Sequence, residues 1–183
     1  MASDKLTQNK FLNDGEVQQL LKLCNKHKGK RDSIMLRFAL FTGARQAEVL
    51  DVKKADFGRG CVTIRGIKGS NNRTAILSPE FFTEISKFME AMKDGDSLFP
   101  ITTRTFRHIW QQWSPNRNKS GHCLRHTFGV RLYNNCEDIH LVKTALGHCS
   151  IQNTMKYLEF VESQRQMVTA VQGMWEKGLD GAA

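Results

Sequence analysis

The chain has 183 residues with a formal net charge of +9, and 40% of its residues are hydrophobic. This is the length of one domain, and the basic excess favours a polyanionic partner. No apolar run reaches the roughly 18 residues that a membrane helix needs, and the first residues, MASDKLTQNK, lack the apolar centre of an export signal. Composition therefore excludes a membrane-spanning chain, and we expect a soluble, cytoplasmic protein with no membrane partner.

The hydrophobic periodicity predicts a mainly helical chain with one small β-hairpin, an α+β class. Asn13 or Asp14 can cap the first helix, and Gly43 can end the second. Two β-type runs flank GIKGSNN, whose Gly, Ser and Asn favour a turn. The predicted elements, in chain order, are helices over 12–28, 31–43 and 44–52, strands over 61–65 and 73–77, and helices over 79–92, 102–113, 122–135, 138–146, 150–158 and 161–177.

Acidic and basic residues are segregated along the chain. Residues 97–136 contain no Asp or Glu but six Lys or Arg, and residues 57–79 are also free of acids. The acids concentrate in the first predicted helix, in 80–96 and near the carboxyl end. A surface that faces phosphates needs segregation of this kind.

Five cysteines stand at irregular spacing and form no Cys-x-x-Cys pair. Such scattered cysteines are typical of a reduced intracellular protein with free thiols. His122, Cys123 and His126 lie close together, but their spacing matches no standard zinc signature. We therefore expect neither a metal site nor a bound cofactor.

The segment 122–157 holds residue types that suit phosphate-ester chemistry without a metal. It contains His122 and Arg125 in a His-x-x-Arg pair, then His148 after a glycine, and Tyr157 nine residues later. Arginine can grip a phosphate through two hydrogen bonds. Histidine moves protons near neutral pH, and tyrosine can form a covalent ester with phosphorus.

Four segments together resemble the tyrosine recombinases, the phage integrase family. TGARQAEVL resembles the first arginine box of that family, and HCLRHTF resembles its His-x-x-Arg box. LGHCSIQNTMKYLEF resembles the box with Gly-His and the nucleophilic tyrosine, and RGIKGSNNRTAIL resembles the hairpin that presents the catalytic lysine. Order, spacing and predicted structural context agree from about Leu12 to the last helix.

The resemblance implies a fold, a reaction and a pocket. The fold would be that of the recombinase catalytic domain, and the reaction would cut and rejoin DNA through a 3′-phosphotyrosyl enzyme without metal or ATP. In this pocket the arginines would clamp the phosphate, His148 would donate a further hydrogen bond, His122 would be the base and Lys68 the general acid. The six implied catalytic residues are Arg45, Lys68, His122, Arg125, His148 and Tyr157, the last as nucleophile.

Residues near these boxes receive lesser roles. We expect Glu48, one helical turn after Arg45, to steady the scaffold without doing chemistry. His126 is interpreted as structural, and Trp110 with Trp113 as part of the core or its edge. Basic side chains that border an active site often anchor DNA non-specifically. The predicted DNA contacts are Arg65, Arg73, Arg104, Arg107 and Lys119.

The family pattern begins about a dozen residues into the chain. Tyrosine recombinases usually carry a core-binding domain ahead of it, so we expect that domain to be absent. The prediction is one catalytic domain over 1–183, structured from about 12 to 177, with weak affinity for DNA.

Two functions compete with a site-specific recombinase or integrase. A type IB topoisomerase would share the pocket chemistry, although the compact size and the short interval from His148 to Tyr157 favour a recombinase. A non-catalytic DNA-binding accessory module would keep the fold, but the presence of all six expected side chains argues against decay.

Double-stranded DNA is the expected partner, and a homo-oligomer on DNA is expected through the carboxyl-terminal segment. That segment carries an apolar stripe, which either packs on its own core or docks onto a neighbouring copy. The stripe consists of Phe160, Val161, Met167, Val168, Val171 and Met174.

Overall fold

The structure is a computed structural model that describes residues 5–67 and 69–175. This part of the chain contains eight α-helices and a two-stranded antiparallel sheet, which confirms the predicted fold class. Two single-turn 3-10 helices lie at Gln8–Lys10 and Lys54–Asp56. The elements are α1 (Asp14–Lys26), α2 (Arg31–Thr42), α3 (Gln46–Asp51), β1 (Cys61–Ile64), β2 (Arg73–Ile76), α4 (Pro79–Phe88), α5 (Thr103–Trp113), α6 (Cys123–Cys136), α7 (Ile139–Leu146) and α8 (Gln152–Met174).

Local signals in the sequence set the ends of the first helices. The Asn13 side chain accepts a hydrogen bond from the Glu16 N–H, and the Glu16 carboxylate accepts one from the Asn13 N–H. This reciprocal capping satisfies two amides that the first turn of α1 leaves open. Gly43 ends α2 in the left-handed region at φ 61°, as its position predicted.

The hairpin pairs Cys61 with Ile76 and Ile64 with Arg73. Val62 and Ile64 point into the core and are fully buried, whereas Ile76 on the partner strand is exposed. This alternation is the period of two that a half-buried strand requires. The predicted hairpin is confirmed.

The core has two parts. The larger one lies between α1 to α5, the hairpin and the start of α6, and it contains Trp110, with Trp113 packed against it, as predicted. The smaller part lies between α6, α7 and α8 and includes Val142, Leu146 and Tyr157. The seam between the two parts runs along α6, which contacts both α2 and α8.

The carboxyl-terminal helix differs from its prediction. The expected helices over 150–158 and 161–177 are one continuous helix, α8, because no glycine or proline interrupts Leu158–Val161. The predicted end at 177 lies outside the described residues. After Val161 most apolar side chains of α8 are exposed, with Met167 at 63% and Met174 at 52%, whereas Val171 is half-buried.

Within residues 5–67 and 69–175, no helix combines the length and the apolar character needed to cross a bilayer.

A buried ion pair joins α2 to α4. The Arg37 guanidinium donates two hydrogen bonds to the Glu84 carboxylate, one of them 2.8 Å long, and the Gly29 N–H donates to the same carboxylate at 2.8 Å. Burial by itself raises the pKa of Glu84, but the Arg37 hydrogen bond and the Gly29 amide outweigh it and hold the pKa below its ordinary value.

Removing one member of this pair leaves a buried charge without compensation. We expect Arg37→Met to lower the free energy of unfolding by about 3–5 kcal/mol, measured by urea denaturation at pH 7. The control is Arg131→Met, because Arg131 pairs with Asp14 at the surface, with side chains 52% and 84% exposed. That variant should lose less than about 1 kcal/mol, and equal losses in the two variants would contradict the argument.

Candidate active site

The turn between α2 and α3 positions Arg45. Gly43 allows the chain to leave α2 at positive φ, and a Cβ there would stand 2.5 Å from the Phe128 ring. Arg45 then occupies the N-cap position of α3 with an extended backbone. Its side chain is 30% exposed, so its guanidinium can meet a ligand from outside the protein.

Glu48 connects the basic side chains of the site. It is 1% exposed, and its carboxylate accepts the Arg45 N–H at 2.9 Å and the Arg73 Nη2–H at 2.8 Å. The Arg45 and Arg125 Nη1 atoms lie 3.3 and 3.8 Å from the carboxylate. Burial alone raises the pKa of Glu48, but Arg73 outweighs it and keeps the pKa lowered. The carboxylate is therefore ionised at neutral pH and holds three guanidinium groups together.

Arg125 projects from α6 into the seam between the two parts of the core. Its Nη1 donates to the Gly43 carbonyl and its Nη2 to the Leu146 carbonyl, each at 2.8 Å. These bonds tie the ends of α2 and α7 to α6. Burial and then the charge of Arg45 lower the pKa of Arg125 to about 10, so the group remains a cation at pH 7.

His148 follows the left-handed Gly147 that ends α7. It is 5% exposed, and its Nδ1 lies 2.8 Å from the Thr154 hydroxyl. Burial and the nearby charges of Arg125 and Arg45 lower the pKa of His148 to about 3, so the ring is neutral. When the Thr154 hydroxyl donates to Nδ1, the ring proton stands on Nε2, where it can be donated to an anion.

Tyr157 lies in the second turn of α8 and is 1% exposed. Its ring lies nearly parallel to that of His148, with centroids 6.4 Å apart. Its hydroxyl lies 3.0 Å from Nδ1 of His126. Gly129 makes room for the ring, because a Cβ at this position would stand 2.7 Å from Cε1 of Tyr157.

The hairpin loop is docked against the His148 turn. The Asn71 N–H donates to the Gly147 carbonyl at 2.9 Å, and Ser70 forms a β-bridge with His148. The Cys149 thiol donates to the Gly69 carbonyl at 2.8 Å. Lys68, the predicted general acid, lies outside the described residues.

His122, the N-cap residue of α6, and His126, within the helix, occupy different positions. His122 is exposed at the start of the helix, whereas His126 is 6% exposed beside Tyr157. Their rings meet edge to face with centroids 4.6 Å apart. The interpretation of His126 as merely structural missed its contact with the tyrosine hydroxyl. The available signal was its spacing of four from His122, which puts both rings on one helix face.

Cys123 is buried between these residues and the core, and burial raises the pKa of its thiol to about 12. The thiol is therefore neutral at physiological pH. Among the described residues, no group of three or more His, Cys, Asp and Glu side chains is arranged to hold a metal ion.

The five predicted DNA contacts fall into two groups. Arg104 and Arg107 are exposed on α5, and the Arg65 side chain is 42% exposed. Arg73 and Lys119 are buried instead, at 7% and 5% exposed, and their contact with DNA stays a prediction. Both side chains bind partners that are distant in the sequence. Arg73 forms an ion pair with Glu48. The Lys119 ammonium donates to the Glu16 carboxylate at 2.7 Å and to the Phe11 carbonyl at 2.6 Å.

The sequence model of the phage integrase family matches residues 10–163. This chain belongs to the phage integrase family. The chain is similar to the tyrosine recombinase XerA of Pyrococcus furiosus. The two are 28% identical over 162 residues, which cover 81% of this chain and 56% of XerA. The chain spans about half the length of the curated relatives it matches.

Solved structures of the family share the fold. The catalytic domain of bacteriophage HP1 integrase is 26% identical with a TM-score of 0.63, and the match covers 84% of this chain and 89% of that domain. The XerH site-specific recombinase bound to its difH substrate is 26% identical with a TM-score of 0.68, covering 88% of this chain and 53% of XerH. The predicted family and catalytic-domain fold are confirmed.

The neutral state of His148 makes stability depend on pH. An unfolded histidine takes up a proton below a pKa of about 6.5, whereas folded His148 resists it down to about 3. Stability therefore falls as pH drops from 7 to 5, by about 2 kcal/mol from this residue. We expect the fall, measured by urea denaturation, to shrink by that amount in His148→Gln.

His140→Gln is the matched control, because His140 is exposed on α7. It should keep the wild-type fall between pH 7 and pH 5. A His148→Gln protein that loses as much stability as wild type over this range would show that the buried ring is not held neutral.

Proposed function

We propose that this chain is a single catalytic domain that cuts and rejoins double-stranded DNA, as a site-specific recombinase does. Tyr157 attacks a phosphodiester, the P–O5′ bond breaks, and a 3′-phosphotyrosyl enzyme with a free 5′-hydroxyl results. A 5′-hydroxyl from another strand reverses the step. The observation that carries this proposal is the convergence of Arg45, Arg125 and His148 beside a buried tyrosine, in a chain of the phage integrase family.

The electrostatics of the cluster support an anionic ligand. Three guanidinium groups surround the single carboxylate of Glu48, and His148 adds no charge. A phosphate would offset this excess of positive charge. Within the described residues, Nε and Nη1 of Arg73 are buried without a hydrogen-bond partner, which adds to the unused donor capacity around Glu48.

Each side chain then has a chemical role. Arg125 uses two of its five N–H groups on backbone carbonyls, which leaves others for phosphate oxygens. Arg45 provides a second clamp, and Nε2–H of His148 a third donor. Lys68 is proposed as the acid that protonates the leaving 5′-oxygen. The imidazoles at the start of α6 are proposed to accept the proton that the tyrosine hydroxyl loses. The phosphotyrosine preserves the energy of the phosphodiester, so no ATP is needed.

The start of α5 lies next to the site, because the Gln46 amide donates to the Thr103 carbonyl at 2.7 Å. Arg104 and Arg107 are exposed on this helix, and we propose that they and Arg65 contact DNA phosphates along its path. Contacts with phosphates position a protein on DNA without distinguishing one base sequence from another. The DNA-bound XerH structure supports double-stranded DNA as the ligand.

Among the competing functions, recombination has the most support. XerA, the integrase of phage 186, XerH and the HP1 integrase, all similar to this chain, are named recombinases or integrases. A topoisomerase would use the same pocket, and an accessory module would need no intact nucleophile site.

The exposed half of α8 supports association between copies on DNA. Met167, Val168 and Met174 lie beyond Val161 and are 52–63% exposed, which supports docking onto a neighbouring copy over packing on the chain's own core. A groove of about 610 Å³ opens beside it, and its lining mixes apolar with polar and charged residues, which suits an amphipathic helix. Its apolar residues come from the amino end, α6 and α8. These residues include Phe11, Val130, Phe160, Val161 and Val168.

Adduct formation tests the reaction. Randomised-sequence duplexes with a central nick release a short 5′-hydroxyl fragment on cleavage, so a covalent protein–DNA adduct accumulates on a denaturing gel. We expect an adduct from wild type and none from Tyr157→Phe. Tyr133→Phe is the matched control, since the chain has just two tyrosines.

An adduct that persists in Tyr157→Phe would overturn the nucleophile assignment. A wild-type protein that binds the duplexes but never forms an adduct would favour the accessory module.

Charge placed on the exposed stripe of α8 tests association between copies. Met167→Lys/Met174→Lys should shift the protein on DNA toward monomers in light scattering, because docking would bury the new charges. Gln166→Lys/Gln172→Lys adds the same charge to exposed positions of the same helix and should keep the wild-type distribution. Identical distributions for both variants would remove the docking proposal.

A further inference from the structure

We propose that His126, which the family resemblance leaves without a role, accepts the hydroxyl proton of Tyr157 during attack and hands it to His122 at a solvent-facing cleft. This inference rests on the proposed function and concerns the fate of one proton. It replaces the expectation that His122 is the direct base.

The burial of Tyr157 makes a protein acceptor necessary. The side chain is 1% exposed, so its hydroxyl proton has no direct route to bulk water in this arrangement. A phenol with an ordinary pKa of about 10 is protonated at neutral pH and must lose that proton to attack phosphorus. The group that receives it must lie within hydrogen-bond reach of Oη.

His126 meets that requirement. Its Nδ1 lies 3.0 Å from the Tyr157 Oη, inside the range in which a general base works. The donor and acceptor are both buried, which shields their hydrogen bond from water. Gly129 fixes the approach, because it stands nearly one turn after His126 and admits the tyrosine ring against α6.

His148 is a poor alternative, although its ring also faces Tyr157. Its Nδ1 is occupied by the Thr154 hydroxyl. Burial and the charges of Arg125 and Arg45 lower its pKa to about 3, so it does not take up a proton near neutral pH. A proton that moved toward His148 would also add charge beside two guanidiniums.

The route from His126 leads away from the arginine cluster. His122 lies edge-on to His126 and is exposed. Both rings line a cleft of about 320 Å³ that opens to solvent. A proton that leaves by this route reaches water without crossing the phosphate site.

The step balances as follows. The Oη–H bond of Tyr157 breaks and an Nδ1–H bond forms on His126, which is neutral with its proton on Nε2 beforehand. The Oη–P bond forms, the P–O5′ bond breaks, and the 5′-oxygen takes a separate proton from the general acid. The His126 imidazolium then releases its Nε2 proton to His122 or to water in the cleft. Religation runs the same path in reverse.

The titratable or charged groups around His126 come from four parts of the chain. They are His122 and Cys123 on its own helix, Tyr157 and Lys156 on α8, Lys119 in the preceding loop and Lys10 near the amino end.

The test measures the single-turnover rate of adduct formation on the nicked duplexes. At pH 7 we expect His126→Gln to reduce the rate by about 10²–10⁴-fold. His122→Gln should reduce it less, because His126 can still release its proton to the cleft. His140→Gln, which changes an exposed histidine on α7, is the control and should keep the wild-type rate.

The pH profile separates proton transfer from mere packing. If His126 takes the proton, the deficit of His126→Gln shrinks as pH rises from 6 to 9, because hydroxide increasingly replaces it. A deficit that stays constant over this range would indicate a packing role and overturn the inference, as would a larger loss in His122→Gln.

A second measurement needs neither DNA nor a His126 variant. In Tyr133→Phe protein, Tyr157 is the single remaining tyrosine, and ¹³C labelling of its Cζ reports on the hydroxyl. We expect its resonance to shift as an imidazole titrates between pH 4 and pH 9. A resonance that stays fixed would overturn the contact. The absence of any wild-type adduct would instead overturn the proposed function, whereas an adduct formed at wild-type rate by His126→Gln would overturn this inference alone.

Discussion

The buried carboxylate of Glu48 is the interaction on which the rest of the site depends. It lies on a six-residue helix and holds side chains from β2 and α6 as well as the N-cap of its own helix. Without that charge, Arg73 and Arg125 would face each other and Arg45 across a largely dry interior, at a high electrostatic cost. One carboxylate thus allows three guanidiniums to approach a common point while leaving net positive charge for a ligand.

The architecture places this cluster at the seam between the two parts of the core. Arg125 reaches from α6 to the carbonyls that end α2 and α7, so the geometry of both helix ends is part of the site. Both ends are left-handed glycines, Gly43 and Gly147, which adopt this backbone without the strain that a Cβ would add. The contacts that hold Arg125 in place are therefore also contacts between the helices of the core.

The sequence predicts features that depend on near neighbours. The capping of α1, the end of α2 and the hairpin followed from residues within a few positions of each other. Features that depend on distant partners were missed. Arg73 and Lys119 looked like surface cations, since their carboxylate partners stand 25 and 103 positions away.

The same limit applies to His126, whose partner Tyr157 is 31 positions along the chain. The prediction of two helices in place of α8 was wrong for a local reason. Apolar side chains are buried at the start of α8 and mostly exposed towards its end. From the sequence alone, this change resembles the end of one helix and the start of another. The order and spacing of the boxes, by contrast, predicted the family, and the match of the family model over residues 10–163 confirmed it.

The continuity of α8 makes Tyr157 and the exposed apolar tail parts of one helix. Tyr157 and Met174 are about 25 Å apart along a helix that has no glycine or proline before Gly173. A partner that tilts the exposed end of α8 would therefore also move its first turns. Those turns hold Tyr157 against His126, Gly129 and His148. Within residues 157–174, the helix is not interrupted between the surface that a neighbouring copy would contact and the proposed nucleophile.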